Sequence, residues 1–290
     1  MFNILYQFLD NFAFLILCAT GLAIIFGMMG IINLAHGEFI MLGAYATTFI
    51  ARYIPFPIAL ILGAAAVGVF GLIIDRLIIC RLYTRPLDSV VVTYGISLIL
   101  QQGMLILTGA YLPGMTTPLG AFYVNGNAYS TYRLLLAVIA FSLLLGIYLL
   151  FMKTNFGLQS RATMQNPQNA DGMGINTARI YSRTFMLGAA LAGLAGGLYA
   201  PTMSIAPTMG QSFQSQSMLT VIVGGSNPLI GTVMSGSALG IVQSILSTLY
   251  GTFYGRIGLL VVTIIVIRFF PQGFSGLVEK FSQKRRVRKG

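Results

Sequence analysis

Charge is what this sequence has least of. Only 8% of its 290 residues are charged, Asp and Glu together number six, and His36 is the single histidine. A soluble domain carries roughly 25% charged residues. A chain that is 56% apolar, with a mean hydropathy of +0.84, cannot clothe itself in a polar surface. Several of its apolar runs approach the roughly 20 residues that cross a bilayer. The fold class that follows is an all-α, polytopic membrane bundle. Cysteine is nearly absent too. Cys18 and Cys80 are far apart, each in or beside an apolar run, and read as small buried hydrophobes. With one histidine they leave no set of metal ligands. None of the four lysines, Lys153, Lys280, Lys284 and Lys289, follows a glycine, so a phosphate-binding loop is missing and ATP is not hydrolysed by that route. Acids are too few for an ion-coupled relay across several spans. The spans carry no His pair and no acidic dyad, which argues against an enzyme.

The +11 net charge is placed in three groups: Arg76, Arg81 and Arg85; Lys153, Arg161, Arg179 and Arg183; and Arg268 with the tail from Lys280 to Lys289. Each lies between or after apolar runs, as positive-inside loops do. The tail also suits the anionic headgroups of membrane lipids. Nucleic acid is excluded as a partner on this placement. If the first two groups are cytoplasmic, the N-terminus is outside and the C-terminus cytoplasmic. No basic residue precedes the first apolar run, so it is expected to be a retained span rather than a signal peptide.

Apolar spans are expected over residues 12–29, 34–50, 58–74, 90–111, 134–152, 184–200 and 257–270, with 111–132 as an external loop. Nearly every proline falls between them, where a missing donor costs little. Residues 201–250 require an even number of crossings before the last span, read as 212–225 and 229–249, the first of them short enough to be a half-helix. The total is eight or nine spans with broken or half helices, in a single permease-like domain over 1–290 with an internal loop at 153–183 and a basic tail at 271–290. No residue-level repeat is visible. Gly188, Gly193, Gly196 and Gly197, and then Gly231, Gly236 and Gly240, have the spacing of close helix approach.

Ionisable residues in a bilayer face protein or a water-filled path. The stretch 27–45 holds Asn33, His36 and Glu38 among Gly27, Gly30, Gly37 and Gly43. Unwound backbone at membrane depth is tolerated only beside protein or a cavity, and paired breaks in two halves mark a substrate path. The expected counterpart of this stretch is the break at 224–228. The candidate path residues are therefore Asn33, His36, Glu38, Thr93, Gln101, Gln211, Gly224, Gly225 and Ser226. Asn33, His36 and Glu38 are expected to bond across helices or to backbone opened by Gly37. In the 153–183 loop, Pro167 suits the first turn of a short helix and Gly174 its end. Such a helix, lying along the membrane, could dock a cytoplasmic motor; a solvated connector is the other reading.

The segment from Phe26 to Tyr45 with its Asn33-Leu34-Ala35-His36-Gly37-Glu38 core, Arg85-Pro86-Leu87, Gly172-Met173-Gly174-Ile175-Asn176-Thr177, the glycine-rich stretches 188–197 and 224–240, and Pro271-Gln272-Gly273 resemble the branched-chain amino-acid permease family of ABC importers. That family includes the LivH and LivM types and the urea permeases. The resemblance covers essentially the whole chain. It implies a non-catalytic, multi-pass subunit of the bacterial inner membrane that pairs with a second homologous permease, two cytoplasmic ATPase subunits and a periplasmic solute-binding protein. No cofactor is implied in this chain; ATP and Mg belong to the partners. The family's docking motif, Glu-Ala-Ala followed after three residues by Gly, falls on Gln168, Asn169, Ala170 and Gly174, where only Ala and Gly survive. It implies that Gln168, Asn169, Ala170, Asp171, Gly174, Ile175 and Asn176 couple the chain to its ATPases. Branched-chain amino acids and urea or short amides are both open as solutes. The segments 94–102 and 210–213 resemble the urea branch, whereas Gln216-Ser217-Met218 stands where that branch has an acid. The competing class is an ion-coupled carrier or passive channel for a small polar solute.

Overall fold

The structure is a computed structural model, and it describes residues 2–83, 85–124, 126–225, 227–270 and 272–276. Ser226, expected in the path, and most of the expected basic tail (271 and 277–290) lie outside the described residues. Along the chain run α1 (Phe2–Met29), α2 (His36–Ile50), α3 (Phe56–Leu77), α4 (Pro86–Thr108), the strands β1 (Ala121–Val124) and β2 (Asn127–Ser130), α5 (Thr131–Lys153), α6 (Asn155–Gln165), α7 (Pro167–Gly172), α8 (Thr177–Tyr199), α9 (Met209–Gly224), α10 (Pro228–Tyr250) and α11 (Thr252–Phe269). Among the described residues, seven helices (α1, α3, α4, α5, α8, α10 and α11) are long and apolar enough to cross a membrane. With 15 and 16 residues, α2 and α9 fall short of that length. The span expected at 34–50 is thus only a short helix, because residues 30–35 are unwound, and of the two readings of 212–225 the half-helix is the one that α9 fits.

Two helix starts differ most from the sequence expectation, each because a polar group finds a partner, and an expected loop contains a hairpin. The first helix begins at Phe2 rather than near residue 12, since Asp10 pairs with Arg133 and the helix runs on through it. The eighth begins at Thr177 rather than 184, because the side chain of Asn176 accepts from Arg179 N at 2.9 Å and caps the first turn. Part of the loop at 111–132 is a hairpin. Strand β1 pairs antiparallel with β2, Ala121 opposite Ser130 and Val124 opposite Asn127. Asn125-Gly126 is a hairpin signal in the sequence, and Gly126 adopts φ +77°. The hairpin is held to the start of α1 by rings: Tyr6 and Phe2 meet Tyr129 at 4.8 and 5.1 Å, and Tyr6 Oη donates to Ser130 O.

Helix α8 lies at the centre of the bundle. It packs against α1, α2 and α3, and α1 packs in turn against α9 and α10. Small residues make these approaches: Gly188 faces Ile25 and Gly21, Gly68 faces Ala190, and Gly236 faces Ile16. Side chains without bulk let dispersion act between backbones, which is what holds helices together in lipid. The ring of Phe14 meets Tyr199, Gly21 meets Gly188, and Ile24 and Met28 share a cluster with Ile180, so α1 and α8 are antiparallel. By similar contacts α9 runs along α1 (Phe14 with Phe213, Leu22 with Val221) and α2 runs along α8 (Gly43 with Gly193, Thr47 with Gly197). Helices α2 and α9 therefore point in opposite directions.

These relations describe two inverted halves, α1–α2–α3 and α8–α9–α10. Gly21 corresponds to Gly188 and Gly37 to Gly210, each touching its counterpart. Gly63 and Gly68 of α3, facing Thr47 and Ala190, correspond to Gly231 and Gly236 of α10, facing Gly224 and Ile16. The repeat is one of packing positions.

Candidate functional site

The chain breaks twice near the middle of the bundle. Residues 30–35 lead back from the end of α1 to the start of α2, and residues 200–208 lead from α8 to α9. Both short helices start without a side-chain cap of their own. Their first turns instead meet head to head. A β-carbon placed on Gly210 would sit 2.7 Å from Glu38 Oε2 and 2.9 Å from the Gly37 carbonyl carbon, and one on Gly37 would sit 2.8 Å from Gln214 Cβ. Only glycine permits the two backbones to approach this closely.

The orphan amides of a helix start need acceptors, and for Gly37 of α2 the acceptor comes from across the junction. Gln214 Oε1, on α9, accepts from Gly37 N of α2 at 2.8 Å. The same side chain donates from Nε2 to Asn33 O at 3.1 Å, so one glutamine caps α2 and holds the unwound turn before it. Leu34 N donates to Thr93 Oγ1 of α4 at 3.1 Å, and Asn33 Oδ1 accepts from Ala35 N. His36, fully buried, places Nε2 2.9 Å from Cys18 O on α1. Glu38 Oε1 accepts from Ser97 Oγ of α4 at 3.0 Å. Its other oxygen has no hydrogen-bond partner among the described residues and points at the first turn of α9. A carboxylate between two helix N-termini is favoured by both dipoles. His36 and Glu38 thus bond across helices, whereas the Asn33 side chain bonds the backbone two residues on and only its carbonyl oxygen is reached from α9.

Helix α4 supplies the other wall. Its buried face is the polar stripe Ser89, Thr93, Ser97 and Gln101, while Val91, Ile99 and Ile106 on the opposite side are exposed. Gln101 Oε1 accepts from Gln211 Nε2 of α9 at 3.3 Å. Beside that contact α9 exposes Gln211, Ser212 and Ser215. Polar side chains on an open face in a bilayer line a wet path or a protein partner rather than lipid.

The structure brings together Asn33, His36, Glu38, Thr93, Gln101 and Gln211. It does not bring Gly224 and Gly225 to them. These close the α9–α10 hairpin, Gly224 against Gly231 and Gly225 against Ser275 and Gln272, about 21 Å along α9 from Gly210 at 1.5 Å per residue. The counterpart of the opening break is accordingly the turn at 200–208, not 224–228. Gln214 and Ser97 are the residues that sequence reading missed. Gln214 lies in the polar run 211–217, and Ser97 falls on the four-residue spacing of Ser89, Thr93 and Gln101; these were the available signals.

The 153–183 loop holds two helices. Thr154 Oγ1 accepts from Gly157 N to cap α6, and Asn166 Oδ1 accepts from Asn169 N to cap α7. Pro167 opens α7, and Gly174 turns the chain with φ +83°. Asp171 accepts from both the backbone N and Oγ1 of Thr177, at 3.1 and 3.0 Å, and so fastens α7 to the start of α8. Gln168, Asn169, Ala170, Asp171, Gly174, Ile175 and Asn176, the residues expected to couple the chain to ATPases, form one compact turn. Ala170 is buried, and its carbonyl accepts from Ile175 N.

The family profile described as "Branched-chain amino acid transport system / permease component" matches residues 3–269. The chain belongs to this family. It is similar to a probable branched-chain amino acid transport permease, LivH, of Methanocaldococcus jannaschii (28% identity, 91% of this chain and 89% of the relative). It is also similar to the high-affinity branched-chain amino acid permeases BraD of Pseudomonas aeruginosa (26%, 91% and 92%) and LivH of Escherichia coli (25%, 91% and 91%). No solved structure matches the chain at comparable significance. As a member of the family, the permease is a multi-pass helical protein of the inner membrane and a permease subunit of an ABC importer.

Proposed function

We propose that this permease works as a single transmembrane domain beside a second homologous permease, on two cytoplasmic ATPases and under a solute-binding protein, and that it admits branched-chain amino acids. The observation that carries the reading is the head-to-head junction of α2 and α9, with the polar face of α4 alongside and the exposed Gln211, Ser212 and Ser215 at its edge. Two half-helices that begin at mid-depth and run to opposite faces let each half open one side of the path while the junction stays fixed. Rocking of inverted halves about such a site is how alternating access is achieved. The names of the relatives support the choice of solute.

The energy comes from outside the chain. None of its lysines follows a glycine, so ATP and Mg are bound by the partner subunits. Helix α7, with Gln168, Asn169, Ala170, Asp171, Gly174, Ile175 and Asn176 around it, is the docking element, and its cap to α8 passes the ATPase motion to the bundle centre. The test is reconstitution in vesicles. With all partners present, labelled leucine accumulates only with ATP inside the compartment that holds the ATPases. Concentrative uptake by the permease alone would overturn the reading in favour of an ion-coupled carrier. Accumulation of labelled urea but not leucine would overturn the solute.

A further inference from the structure

A second buried carboxylate lies away from the junction, at the end of the bundle that carries α6 and α7. Asp75, in the last turns of α3, is fully buried. Its Oδ2 accepts from Ser182 Oγ of α8 at 2.6 Å. The hydroxyl of Tyr83, in the elbow between α3 and α4, donates toward both carboxylate oxygens at 2.8 and 2.9 Å. Burial, with the Asp75 carboxylate beside it, pushes the Tyr83 phenol well above its ordinary value, so the hydroxyl keeps its proton and remains a donor. Tyr83 also meets Tyr181 of α8 edge to face at 5.0 Å. Burying an acid in an apolar bundle is costly unless it is hydrogen-bonded, and nothing in the transport path requires one here.

What Asp75 joins gives it a role. On one side is α8, fastened five residues earlier to α7 through Asp171 and Thr177. On the other is the elbow that leads into α4, whose buried stripe supplies Thr93, Ser97 and Gln101 to the α2–α9 junction. Helix α4 packs on the bundle far less than α3 or α8 does, against α2 and the elbow, so its position depends on how the elbow is held. Ile79, fully buried, anchors the elbow by apolar contact; the Asp75 contacts are its directional polar tie to α8.

We propose that Asp75 is a positioning residue for transport: it clamps α8 to the α3–α4 elbow, so that displacement of α7 moves the polar face of α4. This rests on the reading of α7 as the ATPase-docking element. Packed side chains and hydrogen-bond networks with discrete arrangements carry coupling between distant sites, and the series α7, Asp171–Thr177, Ser182–Asp75–Tyr83, α4 is such a network.

The test compares Tyr83→Phe and Ser182→Ala with the unaltered permease in the full reconstituted complex, each variant removing one hydroxyl and little volume. Leucine accumulated per ATP hydrolysed should fall about fivefold in each, the weight of one hydrogen bond, while the amount of assembled complex and its ATPase rate persist. Asp75→Ala should fall further where it assembles. An unchanged leucine-to-ATP ratio in both hydroxyl variants would overturn the proposal, as would a loss confined to the amount of assembled complex. Failure of the underlying reading is distinguishable, because then variants of Asn169 and Gly174 in α7 would also leave ATP-driven uptake untouched.

Discussion

A single methyl group at Gly37 or Gly210 should separate the two half-helices, and the geometry sets the size of the effect. A β-carbon on Gly210 would lie 2.9 Å from the Gly37 carbonyl carbon, and one on Gly37 would lie 2.8 Å from Gln214 Cβ. Non-bonded carbons rest at about 3.5–4.0 Å, and a β-carbon on Gly37 would press hardest on the Gly210 carbonyl oxygen, so the helices must part by about 1 Å. The hydrogen bonds that cross the junction are 2.8 Å (Gly37 N to Gln214 Oε1) and 3.1 Å (Gln214 Nε2 to Asn33 O). Stretched by about 1 Å, both exceed the roughly 3.5 Å at which such a bond is lost. Overpacking costs about 1–3 kcal/mol and each lost hydrogen bond about 1 kcal/mol. The combined penalty of about 3–5 kcal/mol corresponds to a fall in Tm of roughly 10 °C for a chain of this size. Thermal unfolding of the purified permease in detergent measures it, alongside uptake by the reconstituted complex. Gly146→Ala is the control, since a β-carbon there meets no atom within 4 Å. If Gly37→Ala and Gly210→Ala both matched that control in Tm and transport, the head-to-head junction would be refuted.

Three further outcomes are expected. Gln214→Leu removes both cross-junction bonds while keeping bulk; at about 1 kcal/mol each it should lower Tm by several degrees and reduce uptake, and an unaltered Tm would show that α2 is capped by something else. His36→Ala removes the strut to Cys18 O, and Glu38→Gln alters the group that Ser97 holds; both should impair transport through assembly or gating, as read by the yield of assembled complex. A change confined to the pH dependence of uptake would instead revive a proton relay. Gly174→Ala places a side chain at φ +83°, a strain of about 1–2 kcal/mol, and should weaken ATPase docking in pull-down while leaving the permease folded.

The membrane class, the long helices, the short helix opened by Pro167 and the polar character of residues 33–38 were all legible in the sequence. Each depends on local properties. Hydropathy accumulates along one helix, and Thr154, Asn166 and Asn176 cap turns that begin within three residues of themselves. The hairpin at 121–130 was signalled by Asn125-Gly126 but lay in a segment otherwise lacking alternation.

The pairing of the breaks could not be read that way. Glu38 meets Ser97 across 59 residues, Ser182 meets Asp75 across 107, and Gln214 meets Asn33 across 181. Polar groups in lipid must find partners, and the sequence by itself announced that need at Asn33, His36, Glu38, Gln101 and Gln211. Which partner each one takes depends on where glycines let helices touch. Gly37 against Gly210 and Gly21 against Gly188 bring the second break, at 200–208, to the first, and leave Gly224 and Gly225 at the far end of α9. Apolar content determined that this chain lies in a membrane; close packing of the folded helices decided where its polar centre is.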